Sequence, residues 1–266
     1  MKLLRIYRAL LTAQLQATAQ YRAQAFLYVL FSVIRPIVFL AAWVAVANAR
    51  GGSVGSFDVA DFAGYFIALT LVSHLCMSWF AWEFEQDVAQ GNLSPRLLRP
   101  LHPIHYAAAA NISYKIVTSI GLLPILLLVA VSFHARFQTT LEHLLLFIPS
   151  MILAAVLSFL FDWVQASTAF WITRSSQVSF VLGRVSFIFG GQIAPLALLP
   201  GVLGTIAYAL PFGYMLAVPA DILRGGVDPA RGLLLVGAQA LWVLLFYAAL
   251  QRVWRAGVRE YSAVGA

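Results

Sequence analysis

Long apolar runs dominate this chain and determine the environment in which it folds. A helix needs about 20 mostly apolar residues to cross a hydrocarbon core of about 30 Å. Six stretches are close to that length or longer: residues 25–47, 60–82, 116–133, 143–172, 178–199 and 232–250. Their residues do not alternate between apolar and polar, as the strands of a membrane barrel do. The sequence therefore predicts six transmembrane helices.

The composition supports the same environment. Of the 266 residues, 62% are hydrophobic and 10% are charged, whereas soluble domains carry about 25% charged residues. The net charge of +7 comes from short basic clusters between the apolar runs. Such clusters favour contact with anionic lipid over nucleic-acid binding. Cys76 is the single cysteine, so no disulfide can form within the chain. We expect an all-α membrane protein.

Basic residues also predict the topology. Residues 1–24 mix Lys2, Arg5 and Arg8 with leucines at helical spacing, which is typical of a helix lying at the membrane interface. If this segment is cytoplasmic, twelve of the 17 Lys and Arg residues fall on the cytoplasmic side. Four lie on the outer side, namely Arg50, Arg136, Arg224 and Arg231, and Arg35 lies within the first predicted span. The distribution predicts a cytoplasmic N-terminus and a cytoplasmic C-terminus.

Two connections are longer than simple turns. Residues 83–106 would be cytoplasmic, and Asn92 or Ser94 can cap a short amphipathic helix there. Residues 200–231 would lie on the outer side, but they are too apolar for an ordinary loop and contain several prolines. We expect them to form a pair of short re-entrant or interfacial helices. The predicted organisation is an interfacial helix (1–24), a six-span domain (25–250) and a cytoplasmic tail (251–266).

Signatures of catalysis are weak. The phosphate-binding string G-x-x-x-x-G-K-[ST] is absent, since Lys2 and Lys115 are the only lysines and neither follows a glycine. Residues 51–55 match G-x-S-x-G, but they fall in a short loop where glycines are expected. His102 and His105 could both bind a metal ion, but Pro103 lies between them and no carboxylate or cysteine follows at the spacing of metal ligands. We expect a non-catalytic chain that binds neither a metal ion nor a cofactor.

Three charged residues fall within or near predicted spans. Arg35 and Asp162 each lie about 18–20 Å from the cytoplasmic end of their helix, at 1.5 Å per residue. Charges at that depth are costly and indicate a function or a specific partner. The two side chains could pair with each other, or each could face a hydrated cavity. Arg184 is an alternative partner for Asp162.

A cytoplasmic motif carries a family resemblance. Residues 91–103, GNLSPRLLRPLHP, resemble the G-x-L-S-x-x-L-L-R-P-L-x-P segment of permeases of type-2 ATP-binding-cassette (ABC) transporters. The branch it most resembles comprises uncharacterised and daunorubicin-type export permeases. Two further segments resemble the same group. One is residues 210–225, where LPF is followed by Pro219 and ILRG, and the other is the tail at 257–265.

The resemblance implies a permease subunit of an ATP-driven exporter of hydrophobic or amphipathic compounds in a prokaryotic cytoplasmic membrane. Two permeases, identical or related, would assemble with two separate ATPase subunits, and ATP-Mg would bind to those subunits. The implied ATPase-coupling residues are Leu93, Ser94, Pro95, Arg96, Leu97, Leu98, Arg99 and Pro100. The acidic residues just before them, Glu83, Glu85 and Asp87, are candidates for the same contact.

Two other classes remain open from the sequence. An ion-coupled secondary transporter would need several carboxylates inside the membrane, and Asp162 is almost alone in that position. An intramembrane hydrolase would be active without an ATPase partner. Co-purification with an ATP-binding subunit distinguishes the permease from both.

Overall fold

The computed structural model describes residues 2–78 and 80–261, and 81% of it is helical. The helices before the long central connection are α1 (Lys2–Gln20), α2 (Arg22–Ala49), α3 (Val59–Cys76), α4 (Ala81–Ala89), α5 (Leu93–Leu97) and α6 (Pro103–Ser132). The others are α7 (Leu141–Ser167), α8 (Ser175–Phe189), α9 (Gly201–Ala209), α10 (Pro211–Met215), α11 (Ala217–Leu223) and α12 (Pro229–Glu260). Strands β1 (Ser53–Val54) and β2 (Phe57–Asp58) form one antiparallel hairpin. The expected all-α membrane fold is confirmed.

Helix α3 lies at the centre of the fold. It is apolar around most of its circumference, and side chains such as Phe62, Tyr65 and Phe66 are almost completely buried. A helix that is hydrophobic on all sides is stable only when other elements surround it. Helices α2, α6, α7 and α11 pack against α3 and supply that cover.

Two long helix pairs complete the framework. Helix α1 packs along α6, where the Tyr7 hydroxyl lies 2.5 Å from His105 Nδ1. Helix α7 packs along α12. The buried Gln239 side chain of α12 donates to the carbonyl oxygens of Ser150, at 3.2 Å, and Tyr214, at 2.8 Å. This amide therefore joins α12 to both α7 and α10.

Five helical stretches in the described residues are long and apolar enough to cross a membrane. They are Ala23–Ala49, Pro103–Ser132, Leu141–Phe170, Pro229–Glu260 and the stretch Val59–Ala89, which contains α3 and α4 as separate helices. Helix α8, in the fifth predicted span, has 15 residues and is about 22 Å long. It ends at Phe189 with Gly190 as its C-cap, and Gly191 follows with a φ of +82°, a conformation that glycine adopts without strain. The count of six spans stays a prediction.

Helix boundaries also differ from the sequence-based segments. The second predicted span continues to residue 82, whereas α3 ends at Cys76 and a new helix starts at Ala81. The third was expected from residue 116, but α6 begins at Pro103, because His102 caps its first turn and proline is favoured there. Helix α12 continues to Glu260, into the predicted cytoplasmic tail. Residues 262–266 of that tail and Met1 of the predicted interfacial helix lie outside the described residues.

Residues 200–231, which were predicted to lie on the outer side, contain three short helices, α9 to α11, where a pair was expected. Helices α10 and α11 are buried between α3, α7 and α12, whereas α9 is largely exposed. The Thr139 hydroxyl donates to the carbonyl oxygen of Leu223 at 2.5 Å, and Arg224 pairs with Asp221 at 2.8 Å. Protein therefore covers the irregular backbone of α10 and α11, as a membrane environment requires.

The link between α2 and α3 is the β1–β2 hairpin. Ser53, within the G-x-S-x-G string, lies exposed in β1 and is followed by a turn, so the strand-to-helix geometry of a nucleophile elbow is not formed. Asp58 caps α3 by accepting from Asp61 N at 2.9 Å, and Arg136 donates to Asp58 Oδ2 at 2.6 Å. Partial burial would raise the pKa of Asp58, but these hydrogen bonds and the Arg136 charge outweigh it and lower that pKa.

Gly64 provides a test of this packing. A Cβ at this position would meet the carbonyl group of Arg136, whose backbone N–H is bonded to Ala60 O at 2.9 Å and whose position is therefore fixed. Gly64→Ala should destabilise the protein by about 1–3 kcal/mol through overpacking. Gly237→Ala is the matched control, since nothing lies within 4 Å of its added Cβ. The melting temperature of the purified protein should fall only for Gly64→Ala, and equal melting temperatures would contradict the packing.

Candidate functional site

The chain breaks its helix between α3 and α4, and the buried carboxylate of Asp162 stabilises that break. Asp162, on α7, is 9% exposed, and its Oδ2 accepts from Phe80 N at 3.2 Å. The first N–H groups of a helix have no partner within the helix, and a negative charge near them is favourable. Asp162 therefore fixes the point at which the chain turns into α4. We refer to residues 81–100, which contain α4 and α5, as the α4–α5 arm.

An aromatic cluster holds the base of the arm. It consists of Phe80, Phe84, Trp163, Phe170 and Trp254, with contacting ring centroids 5.2–5.9 Å apart. These rings come from the start of the arm, from α7, from the 3-10 turn that follows α7, and from α12. Pairs of this geometry each contribute about 0.5–1.5 kcal/mol beyond simple burial. The cluster therefore joins the arm to two long helices.

Glu85 attaches the middle of the arm to α8. The residue is buried, and its Oε2 accepts from Ser176 N at 2.6 Å and from the Ser175 hydroxyl at 3.2 Å. Both donors lie in the first turn of α8. The Glu85 carboxylate thus caps a second helix whose N–H groups would otherwise lack partners.

The two helices of the arm are also fixed to each other and to the end of α12. Asp87 on α4 forms an ion pair with Arg96 on α5. The Leu93 side chain is completely buried, and Leu97 is partly buried against the hydrophobic core that contains Leu93, Phe84 and Trp163. The Ser94 hydroxyl lies 3.0 Å from the Tyr261 hydroxyl. These contacts therefore bury one face of α5 against the rest of the chain.

The opposite face of the arm is exposed. Leu98 is 88% exposed, and Pro95, Arg99 and Pro100 are exposed around it. The Arg99 guanidinium lies over the Tyr106 ring, 5.8 Å from its centroid, so its direction is restrained although its charge stays accessible. We refer to Pro95, Leu98, Arg99 and Pro100 as the arm tip. An exposed leucine between prolines and a cation is suited to contact with another protein.

The eleven residues implied for ATPase coupling therefore separate into different positions. Leu93, Glu85 and Asp87 are buried within the chain, and Arg96 pairs with Asp87. Glu83 is exposed but lines a cavity beside the arm. The sequence pattern did not indicate the bonds of Glu85, because its partners on α8 are about 90 residues away.

That cavity has a volume of about 660 Å³ and lies between α2, α3, α4 and α6. Part of the cavity wall is apolar or aromatic and comes from Tyr28, Phe31, Leu69 and Met77. Polar side chains lie among them. Its lining residues are Gln24, Tyr28, Val29, Phe31, Ser32, Arg35, Pro36, Leu69, Thr70, Ser73, His74, Met77, Glu83, Tyr114 and Gln192. Ligand pockets commonly have volumes of about 300–1,000 Å³ and mixed linings of this kind.

The three charged residues within or near predicted spans occupy separate places. The Arg35 guanidinium lies 5.2 Å from the centroid of the Phe187 ring, and that of Arg184 lies 4.7 Å from the Phe180 ring. The ion pairs found within residues 2–78 and 80–261 join neither arginine to Asp162. Asp162 instead binds the start of α4, so neither suggested arginine pair is formed, and Arg35 faces the cavity.

His102 and His105 also have separate partners. The Nδ1 of His102 accepts from Ile104 N at 3.2 Å and caps α6. His105 bonds to Tyr7 of α1. Burial and then the neighbouring His105 lower the pKa of His102. The two imidazoles therefore connect structural elements and do not converge on one point.

Comparison with known proteins identifies the family of this chain. A family model described as ABC-2 family transporter protein matches residues 26–265, which covers all but the first predicted helix and the last residue. No curated protein matches the chain. The match includes residues 91–103, the short helices α9 to α11 and the long helices that surround α3. The chain belongs to the ABC-2 family of transporter proteins and is a multi-pass membrane permease of that type.

Proposed function

We propose that this permease is driven by a separate ATPase subunit, which binds the arm tip and powers export of amphipathic compounds. One observation carries the proposal: the arm combines an exposed tip with a base fixed to several transmembrane elements. Leu98 is 88% exposed, whereas Leu93, five residues earlier, is completely buried. A segment that served only to connect α3 to α6 would need neither an exposed apolar tip nor a base fixed to several helices.

The attachments explain how force on the tip would reach the membrane helices. Asp162 connects the start of the arm to α7, Glu85 connects its middle to α8, and the aromatic cluster connects it to α12. A displacement of the tip would therefore move parts of three helices together. ATP can drive such a change only if the ATPase interacts differently with the inward-facing and outward-facing states.

The complete exporter that we propose contains two permeases, identical or related, and two ATPase subunits that bind ATP-Mg. It lies in a prokaryotic cytoplasmic membrane, with both termini of the permease and the arm in the cytoplasm. The distribution of Lys and Arg supports this orientation. The cavity volume of about 660 Å³ supports a small amphipathic cargo.

Purification of the tagged full-length chain from its native membrane tests the proposed partnership. We expect an ATP-binding subunit with a G-x-x-x-x-G-K-[ST] phosphate loop to co-purify, identified by mass spectrometry. Reconstituted permease should export solute only with that subunit and ATP. Transport by the permease alone, driven by an ion gradient, would contradict the proposal and support a secondary transporter.

Substitutions at the arm tip should separate ATPase binding from folding. Leu98→Asp places a charge where an apolar contact is proposed, and Arg99→Glu reverses the accessible charge. We expect each to weaken association with the ATPase by at least about tenfold, equivalent to roughly 1.4 kcal/mol. Leu98→Met should retain binding. Arg50→Glu is the control for Arg99, since Arg50 is also exposed but lies on the opposite side in the predicted topology.

The readouts for these variants are ATPase affinity and the melting temperature of the isolated permease. Normal melting with reduced ATPase affinity supports a role for the tip. Unchanged affinity in both Leu98→Asp and Arg99→Glu would remove the tip from the interface.

A charge exchange tests the internal ion pair of the arm. Arg96→Asp and Asp87→Arg each place two like charges together, so each single variant should reduce stimulation of the ATPase by the permease. The double variant restores opposite charges and should recover part of the stimulation. Stimulated ATP hydrolysis in proteoliposomes is the measurement. A double variant no better than the worse single variant would show that the pair does not maintain the arm.

A further inference from the structure

We propose that the cavity between α2, α3, α4 and α6 binds an amphiphile that carries a carboxylate or phosphate group, with this anion paired to Arg35. The inference rests on the permease function proposed above and names the chemical class of its cargo. It is carried by the cavity, by the charge at Arg35 and by the apolar surface beside that charge.

Arg35 lacks a carboxylate partner where a charge is costly. It lies in the middle of α2, thirteen residues after Arg22, which places it about 20 Å along the helix. All the Asp and Glu residues fall within residues 2–78 and 80–261, and none forms an ion pair with Arg35. The Phe187 ring stabilises the guanidinium from one side, 5.2 Å away. A ligand anion would neutralise a charge that the protein leaves uncompensated.

The rest of the cavity suits the apolar part of such a ligand. Tyr28 and Phe31 line it from α2, and Leu69 and Met77 line it from α3 and the break that follows. An arginine can form two parallel hydrogen bonds with a carboxylate or phosphate, which gives directional binding. Aromatic and aliphatic surface beside that anchor favours a hydrocarbon or ring system.

Glu83 is the other charged residue that lines the cavity, and it distinguishes an anionic cargo from a cationic one. It lies on α4, near the end of the stretch Val59–Ala89, whereas Arg35 lies in the middle of Ala23–Ala49. If the ligand were cationic, Glu83 would be its partner and Arg35 would repel it. Neither residue belongs to an ion pair of the described chain, but Arg35 lies farther from the ends of its stretch, where an unpaired charge is more costly, so we infer an anion.

The test measures binding of a dansyl-labelled undecanoic acid and of its methyl ester to the purified full-length permease in phosphatidylcholine nanodiscs. Arg35→Gln should weaken binding of the acid by about tenfold to a hundredfold, the usual effect of losing a charge-assisted bond. Arg35→Lys should retain most of the affinity. Arg184→Gln is the matched control, because Arg184 also lies against an aromatic ring but does not line the cavity. It should bind as the unmodified chain does.

If Arg35→Gln fails to fold, two other measurements still test the proposal, namely binding of the methyl ester and binding to Glu83→Gln. On the unmodified chain the acid should bind at least about tenfold more tightly than the ester, since only the acid can pair with Arg35. Glu83→Gln should not weaken binding of the acid. Equal affinity for acid and ester, or loss of acid binding in Glu83→Gln together with retention in Arg35→Gln, would overturn the proposal.

Anionic cargo could come from the bilayer or from the cytoplasm, and lipid composition distinguishes these sources. Replacing part of the phosphatidylcholine with phosphatidylglycerol should compete with the labelled acid if bilayer lipid enters the cavity. An unchanged affinity would assign the site to a free amphiphilic acid, and either result supports an anion site at Arg35. The assay contains no ATPase, so its failure would leave the proposed partnership intact, and failed co-purification would leave the binding result intact.

Discussion

The hydrogen bond from Phe80 N to the Asp162 carboxylate is the interaction on which the arrangement of this permease depends. A helix that breaks at the edge of an apolar environment leaves backbone donors without partners, and an isolated buried carboxylate is equally unfavourable. Asp162 resolves both problems at once, because it accepts from the start of α4 at 3.2 Å. The chain can therefore leave the central helix α3 and turn into the arm. Together with the aromatic cluster and the Glu85 carboxylate, this bond sets the angle between α3 and α4 and so the position of the tip.

The same turn connects the two regions to which we assign function. Helix α4 carries Glu85, which caps α8, and also Glu83, which lines the cavity. Movement of the arm relative to α3 would therefore change the attachment of α8 and the shape of the cavity together. The loop after α8 is linked to this region as well, since Trp43 of α2 donates to Ile193 O at 2.7 Å. A partner that moves the tip would thus act directly on elements that surround the cargo, with no need for a long pathway through the protein.

Much of this architecture could be predicted from the sequence, because apolar length and turn residues are local signals. The membrane class, the short helix around Pro95 and the covered outer segment followed from such signals. The break after Cys76 could not be predicted, since residues 77–80 contain neither proline nor glycine and the stabilising group, Asp162, is 82 positions from Phe80. The internal role of Glu85 was hidden for the same reason, as its partners on α8 are about 90 residues away. Sequence pattern identified the arm as a unit, and only tertiary contacts separated its buried base from its exposed tip.

The central claim is that the arm tip, and not its base, contacts an ATP-binding subunit. A photo-crosslinking amino acid placed at position 98, and separately at position 97, tests this claim in the native membrane. Leu98 is 88% exposed, whereas its neighbour Leu97 is partly buried against the hydrophobic core at the base of the arm. The account predicts a crosslink to an ATP-binding subunit from position 98 and none from position 97. A crosslink from position 97 alone, or products from position 98 that contain only lipid or the permease itself, would contradict it.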